Sequence, residues 1–230
     1  MLINKERRIN IHRLDETPVL DQKSKDLIKE YLKIESFYKF ALREVSAKVE
    51  NLDDYCSMNF SHNPIHHMEA RLKSPESIID KIHKRGYEYT IESLKENVYD
   101  ISGIRVVCNY IRDIYMLIYL LEEQEDLEVR IKKDYILNPK ESGYRSVHVV
   151  FQTRVTMSSE TRWVPVEIQF RTIAMDMWAS LEHELRYKSK YELDDEANER
   201  LRMYADELYK IDTNMQRIFI KSTSEGDFND

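Results

Sequence analysis

Between residues 163 and 188 the hydrophobic pattern changes period without an intervening turn. Val164, Val166, Ile168 and Phe170 alternate with Glu167 and Gln169, the period of a half-buried strand, so a carboxylate and an amide share the opposite sheet face. Beyond Arg171-Thr172, Ile173, Met177, Leu181 and Leu185 recur every four residues, which predicts a helix that buries this stripe. Read alone, Glu167 on such a strand is an ordinary surface acid.

The same patterns place the other elements. The first twenty-odd residues are polar and aperiodic, and Thr17-Pro18 disfavours helix, which predicts a mobile arm over 1–23. From Ser24, read as an N-cap, apolar positions at Leu27, Tyr31, Ile34, Tyr38, Ala41, Leu42, Val45, Val49 and Leu52 predict a long amphipathic helix. After Asn63-Pro64, residues 65–72 read as an edge strand. Ser74-Pro75-Glu76-Ser77 then has the N-cap, first-position proline and acidic first turn of a helix that Gly86 closes. A short helix over 90–97 leads to a buried strand, 101–108, with Asp100 at its entrance and Arg105 pointing out of it. A helix over 111–124, a half-exposed strand over 127–132 and a loop over 138–143 follow. Residues 144–155 read as a strand with Tyr144, Ser146 and His148 on one face, and 157–160 as a hairpin turn into the strand that carries Glu167.

Leu201, Tyr204, Leu208, Ile211, Met215 and Ile218 form one stripe of a last helix, ending near residue 220. This order predicts an α+β fold, a mixed five-stranded sheet flanked by helices. It is divided as a domain over 24–190, an oligomerisation helix over 191–220 and a disordered tail over 221–230. The long terminal helices, placed outside the sheet, are expected to pack against other subunits of a homo-oligomer.

Composition narrows the function. The longest apolar run, residues 114–121, is far shorter than the ~20 residues of a membrane span. The charged N-terminus lacks a signal-peptide core, so a cytoplasmic location is expected. Cys56 and Cys108 lack CxxC spacing and are expected to be reduced, Cys108 in the core. A net charge of −7 speaks against salt-driven nucleic-acid binding. A local excess of Arg130, Lys132, Lys133, Lys140 and Arg145 over Glu128, Asp134 and Glu141 fits a small phosphate site instead.

Common motifs are excluded. Four glycines provide no GxGxxG and no Walker loop, and His183-Glu184-Leu185-Arg186-Tyr187 has Tyr where a zincin needs its second His. His66 and His67, adjacent on a strand, are expected to point to opposite faces and share no metal. Ser142-Gly143-Tyr144 is no nucleophile elbow. What remains is Asp100 and Glu167 on strands of one sheet, hard carboxylates suited to Mg²⁺ bound with substrate phosphates. Arg71, Lys73 and Lys81 form a basic corner in which Lys73 can reach a phosphate and planar Arg71 can stack on a base. Lys140 and Gly143 precede Tyr144 and His148, the lysine suited to a phosphate and the glycine to a close backbone approach to a ligand.

Four segments together, Arg71-Leu72-Lys73-Ser74-Pro75-Glu76-Ser77, Asp100-Ile101-Ser102-Gly103-Ile104-Arg105, Lys140-Glu141-Ser142-Gly143-Tyr144-Arg145-Ser146-Val147-His148 and Glu167-Ile168-Gln169-Phe170-Arg171-Thr172, resemble the synthetase domain of the RelA/SpoT alarmone enzymes. The resemblance covers about residues 65–187 and is to small alarmone synthetases, of RelP rather than RelQ type. It implies a mostly antiparallel, nucleotidyltransferase-like sheet and, with terminal helices, a tetramer. The implied reaction, part of the stringent response, moves the β,γ-diphosphate of ATP to the ribose 3′-hydroxyl of GDP or GTP and leaves AMP. No His-Asp pair occurs, so the hydrolase half of longer members is not expected.

By this resemblance Asp100 binds Mg²⁺, and Glu167 binds metal or takes the proton of the attacking hydroxyl. Arg71 and Arg105 sandwich adenine, and Lys73, Ser77 and Lys81 surround the ATP phosphates. Tyr144 stacks on guanine, Lys133, Lys140 and His148 lie near the acceptor phosphates, and Gln169 lines the site. Asp176 stands where the RelQ-like pattern has Asn. An ionised Asp can accept from both N1–H and the N2 amine of guanine, which retains guanine and rejects adenine. Two other readings remain: modification of the 3′ end of tRNA, against which the net charge speaks, and a catalytically silent nucleotide binder, against which intact Asp100 and Glu167 speak.

Overall fold

A computed structural model describes residues 21–188 and 193–224. The expected arm lies outside the described residues except for 21–23, and the expected tail except for 221–224, which are helical. Helix α1, Gln22–Asn59, begins three residues ahead of the start expected from a Ser24 cap, because the Asp21 carboxylate accepts from the Ser24 amide at 2.9 Å and caps it. Its stripe from Leu27 to Val49 is buried as expected, but α1 does not lie outside the sheet. Together with α4, Ile111–Glu122, it covers one sheet face, since the apolar face of a sheet needs a layer against it.

The sheet consists of β1, Ile65–Leu72; β2, Ser102–Cys108; β3, Leu127–Asp134; β4, Val147–Met157; and β5, Glu160–Thr172. Their order is β1-β2-β5-β4-β3, with β2 and β5 parallel and the other pairs antiparallel. Val147, Val149 and Phe151 of β4 and Val166, Ile168 and Phe170 of β5 face the helices, while Glu167 and Gln169 face away, as their alternation predicts. Helix α2, Pro75–Arg85, begins at the Ser74 cap and ends at Gly86, whose φ of 67° is the left-handed turn a glycine allows. Thr90 caps the short α3, Ile91–Asn97. Cys56 and Cys108 are buried free thiols.

Four local expectations fail, each through a local register or phase. β4 starts at Val147, so Ser146 does not share a face with Tyr144 and His148; it is fully buried and donates to the Phe170 carbonyl at 2.9 Å, as a buried hydroxyl must. A bulge between Ile65 and His67 brings the two adjacent imidazoles together, Nδ1 to Nδ1 at 2.8 Å. A second bulge, between Val129 and Ile131, disperses the basic cluster. Arg130 lies over Tyr99, Lys132 pairs with Glu122, and Arg145 pairs with Asp206, which leaves Lys133 opposite His148.

The fourth failure is the stripe on α5, Ile173–Lys188. Ile173, Met177, Leu181 and Leu185 are 44% to 54% exposed, and the buried face is Met175, Trp178 and Ala179. The Thr172 hydroxyl accepts from the Met175 amide and sets the phase of the first turn. Helix α6, Asp195–Ser224, then covers the face so defined, with the Trp178 indole donating to the Leu201 carbonyl at 2.9 Å.

Candidate active site

Register carries the site across all five strands. Glu69 of β1, Arg105 of β2, Gln169 of β5, His148 of β4 and Lys133 of β3 stand successively opposite one another. Two residues along, the row reads Arg71, Gly103, Glu167, Val150 and Ile131. Side chains of both rows share the sheet face turned away from α1 and α4. Gly103 contributes no side chain between Arg71 and Glu167, so the floor is open there.

On one side, the carboxylate of Asp100 accepts from Lys73 Nζ and Lys81 Nζ, each at 2.7 Å. Lys73 is held by its own amide, which donates to the Ile101 carbonyl at 2.7 Å. Burial pushes the Asp100 carboxyl up, but the two ammonium groups outweigh burial and hold it below the ordinary value. Ser77 is one helical turn before Lys81 at the N-terminus of α2, where Ser74 takes its amide. Arg71 is exposed at the end of β1.

On the other side, Tyr144 Oη and His148 Nε2 are 2.7 Å apart, and His148 Nδ1 lies 3.3 Å from Glu167 Oε1. Lys140 Nζ lies over the Tyr144 ring at 4.6 Å and the Tyr135 ring at 4.8 Å. Asp176 accepts from Arg171 at 2.9 Å and faces Arg105 Nε at 3.4 Å. Arg105 therefore touches the carboxylate placed on the acceptor side as well as Glu69, at 3.3 Å. A cleft of ≈ 320 Å³ opens between the sheet, at Lys140, Tyr144, Gln169 and Arg171, and the face of α5 that bears Glu182 and His183.

Glu167 lies between the halves. Gln169 donates to it at 2.8 Å, and its electrostatic neighbours include Asp100 as well as His148. Burial and the charge of Asp100 push its carboxyl up; hydrogen bonds and charge from His148, with Gln169, prevail and hold it below the ordinary value. Two ionised carboxylates, Asp100 just ahead of β2 and Glu167 on β5, close enough to interact electrostatically, fit a hard divalent cation that also takes phosphate oxygens. Among the described residues no group of three or more His, Cys, Asp and Glu is arranged for a metal, so any such ion would rest on this pair and a ligand.

The structure thus gathers Arg71, Lys73, Ser77 and Lys81 near Asp100, and Lys133, Lys140, Tyr144, His148, Gln169 and Asp176 beyond Glu167. Two contacts escaped the sequence. Tyr135 packs edge-on to Tyr144 and His148, and Arg171 donates to three site residues. Arg171 continues the alternation of Glu167 and Gln169 by one step, a signal that the strand expected to end at Phe170 concealed. Gly143 has a neighbour the sequence did not show. The close backbone approach it permits in this structure is to α6.

The chain matches a family model described as a region found in RelA/SpoT proteins over residues 70–192. It is 39% identical over 178 residues to the GTP pyrophosphokinase YwaC of Bacillus subtilis, covering 77% of this chain and 85% of that protein. Among solved structures it is similar to the small alarmone synthetase 2 of Bacillus subtilis, with TM-score 0.75, 36% identity, and 84% and 99% of the two chains covered. It is also similar to the small alarmone synthetase 1 of that organism bound to its product pppGpp, with TM-score 0.76, 29% identity, and 88% and 100% covered.

Proposed function

The chain belongs to the RelA/SpoT family and is a GTP pyrophosphokinase, and we propose that this site moves the β,γ-diphosphate of ATP to the ribose 3′-hydroxyl of GDP or GTP, giving (p)ppGpp and AMP. The observation that carries the assignment of roles is the position of Glu167 between a lysine-rich half and an aromatic, amide-bearing half. ATP lies on the first, with adenine between Arg71 and Arg105 and phosphates near Lys73, Ser77 and Lys81. The guanine nucleotide lies on the second, its base on Tyr144 and beside Asp176, its phosphates near Lys133, Lys140 and His148, with Gln169 lining the site.

Held ionised, Glu167 can orient the 3′-hydroxyl and receive its proton as the bond to the β-phosphorus forms and the bond to the AMP oxygen breaks. Lys73 and Lys81 now hold Asp100, and phosphate oxygens would replace that carboxylate as the partners of the two ammonium groups, leaving Asp100 free for a cation. Asp100 and Glu167 would hold Mg²⁺, which when bound supplies charge neutralisation and acidifies the hydroxyl. These substrates are cytoplasmic nucleotides, and we place the protein there; among the described residues no helix is long and apolar enough to cross a membrane.

Purified protein incubated with Mg²⁺, labelled ATP and, separately, GDP, GTP and deacylated tRNA tests the reading. Label should move to the guanine nucleotides with release of AMP. Label in none of them would sink the assignment, and label in tRNA alone would move it to the RNA-modifying alternative.

A further inference from the structure

Arg171 is 7% exposed at the end of β5, and one guanidinium serves three elements. One terminal nitrogen donates to Asp176 on α5 at 2.9 Å; the other donates to the Tyr144 hydroxyl at 2.9 Å and to Gln169 Oε1 at 3.0 Å. The guanidinium carbon lies 5.3 Å from the Tyr144 ring centroid. Because the Tyr144 hydroxyl also meets His148, whose other nitrogen faces Glu167, Arg171 heads a chain that ends at the central carboxylate. We propose that Arg171 is the positioning residue of the acceptor pocket, fixing the Tyr144 ring, the Gln169 amide and the Asp176 carboxylate relative to one another. The inference rests on the assignment of that pocket to the guanine nucleotide.

The planar fork of arginine suits this task, since its donors are held in fixed directions, whereas a lysine ammonium on a flexible stem fixes none of the three angles. Without Arg171 the Tyr144 hydroxyl keeps, among the described residues, only His148, and its ring gains freedom. Asp176 keeps, among the described residues, only the longer contact to Arg105, so its carboxylate is held less firmly. The acceptor should lose the pre-arranged surface it binds, while the Lys73–Asp100–Lys81 cluster on the ATP side makes no contact with Arg171 and stays as it is.

Calorimetric titration with GDP and with a non-hydrolysable ATP analogue tests this on the full chain and on Arg171→Met, Arg171→Lys, Tyr144→Phe, Tyr144→Ala and the Arg171→Lys/Tyr144→Phe pair. Arg171→Met should weaken GDP about tenfold or more, equivalent to about 1.4 kcal/mol, and the ATP analogue by no more than about twofold. Arg171→Lys keeps the charge and serves if the Met variant does not fold; it should weaken GDP several-fold. Its effect and that of Tyr144→Phe should combine to less than their product, because both break one hydrogen bond. Unaltered GDP affinity in Arg171→Lys, or full multiplication in the pair, would overturn the positioning role while Tyr144→Ala still weakens GDP. If Tyr144→Ala also binds GDP unchanged, the assignment of the pocket fails, and the proposal with it.

Discussion

Glu167 and Asp100 are carboxylates with opposite surroundings, an amide and an imidazole for one and two ammonium groups for the other. Glu167→Gln and Asp100→Asn should each abolish turnover while leaving the circular-dichroism spectrum intact; near-normal rates in either variant would refute its role. Asp100 also has a signature in stability. Its folded pKa lies below the ordinary 3.8, so its contribution is present above that value and is lost as pH falls through the depressed one. Asp100→Asn should therefore melt with a shallower pH dependence below about pH 4 than the unaltered chain. A parallel pair of curves would mean that the ion pairs contribute nothing. At this scale residue types in their motifs pointed to the carboxylates and lysines. Arg171 was not legible, because the strand expected to end at Phe170 hid its place in the Glu167–Gln169 alternation, and its bond to Tyr144 joins segments that no local spacing connects.

Helix α6 shows how an element far along the chain shapes the site. Gly143 has φ of 91°, and a Cβ there would lie 2.8 Å from Ala205 Cβ and 3.2 Å from Arg202 Cα. Arg145, two residues on, pairs with Asp206 at 2.8 Å and lies over the Tyr209 ring at 4.3 Å. The loop that carries Lys140 and Tyr144 is thus seated on α6. Gly143→Ala should cost about 1–3 kcal/mol in thermal stability and raise the KM for GDP, and Ala205→Gly should recover part of the loss by removing the nearest atom. No change in melting temperature or KM would show the contact to be slack. Helix ends with caps, such as Ser74 and Gly86, were readable because capping is local. The buried face of α5 was not, since the neighbour that covers it is 20 or more residues away and the apolar stripe of the pattern is the face left open.

On the scale of the whole molecule, Tyr204, Ile211, Met215 and Ile218 of α6 remain 52% to 63% exposed, as does the α5 stripe to a similar degree. Apolar surface of this extent on two helices marks an interaction face, and we propose that it joins copies of the chain into the expected tetramer. Light scattering after size exclusion should give a multiple of the 27.7 kDa chain, and Ile211→Lys should lower it; a monomer for the unaltered chain would exclude the assembly. The identity and chain order of the strands, the Ser74 and Gly86 caps, the place of Glu167 on a polar face, and the family through motifs kept in order were all set by sequence, because each depends on residues a few positions apart. That α1 covers the sheet, that a bulge in β3 disperses the basic cluster, and that Arg105, Gln169, His148 and Lys133 line up across the strands were set by packing and register. Those outcomes depend on register and on which surfaces meet, free energies set by parts of the chain that periodicity cannot connect.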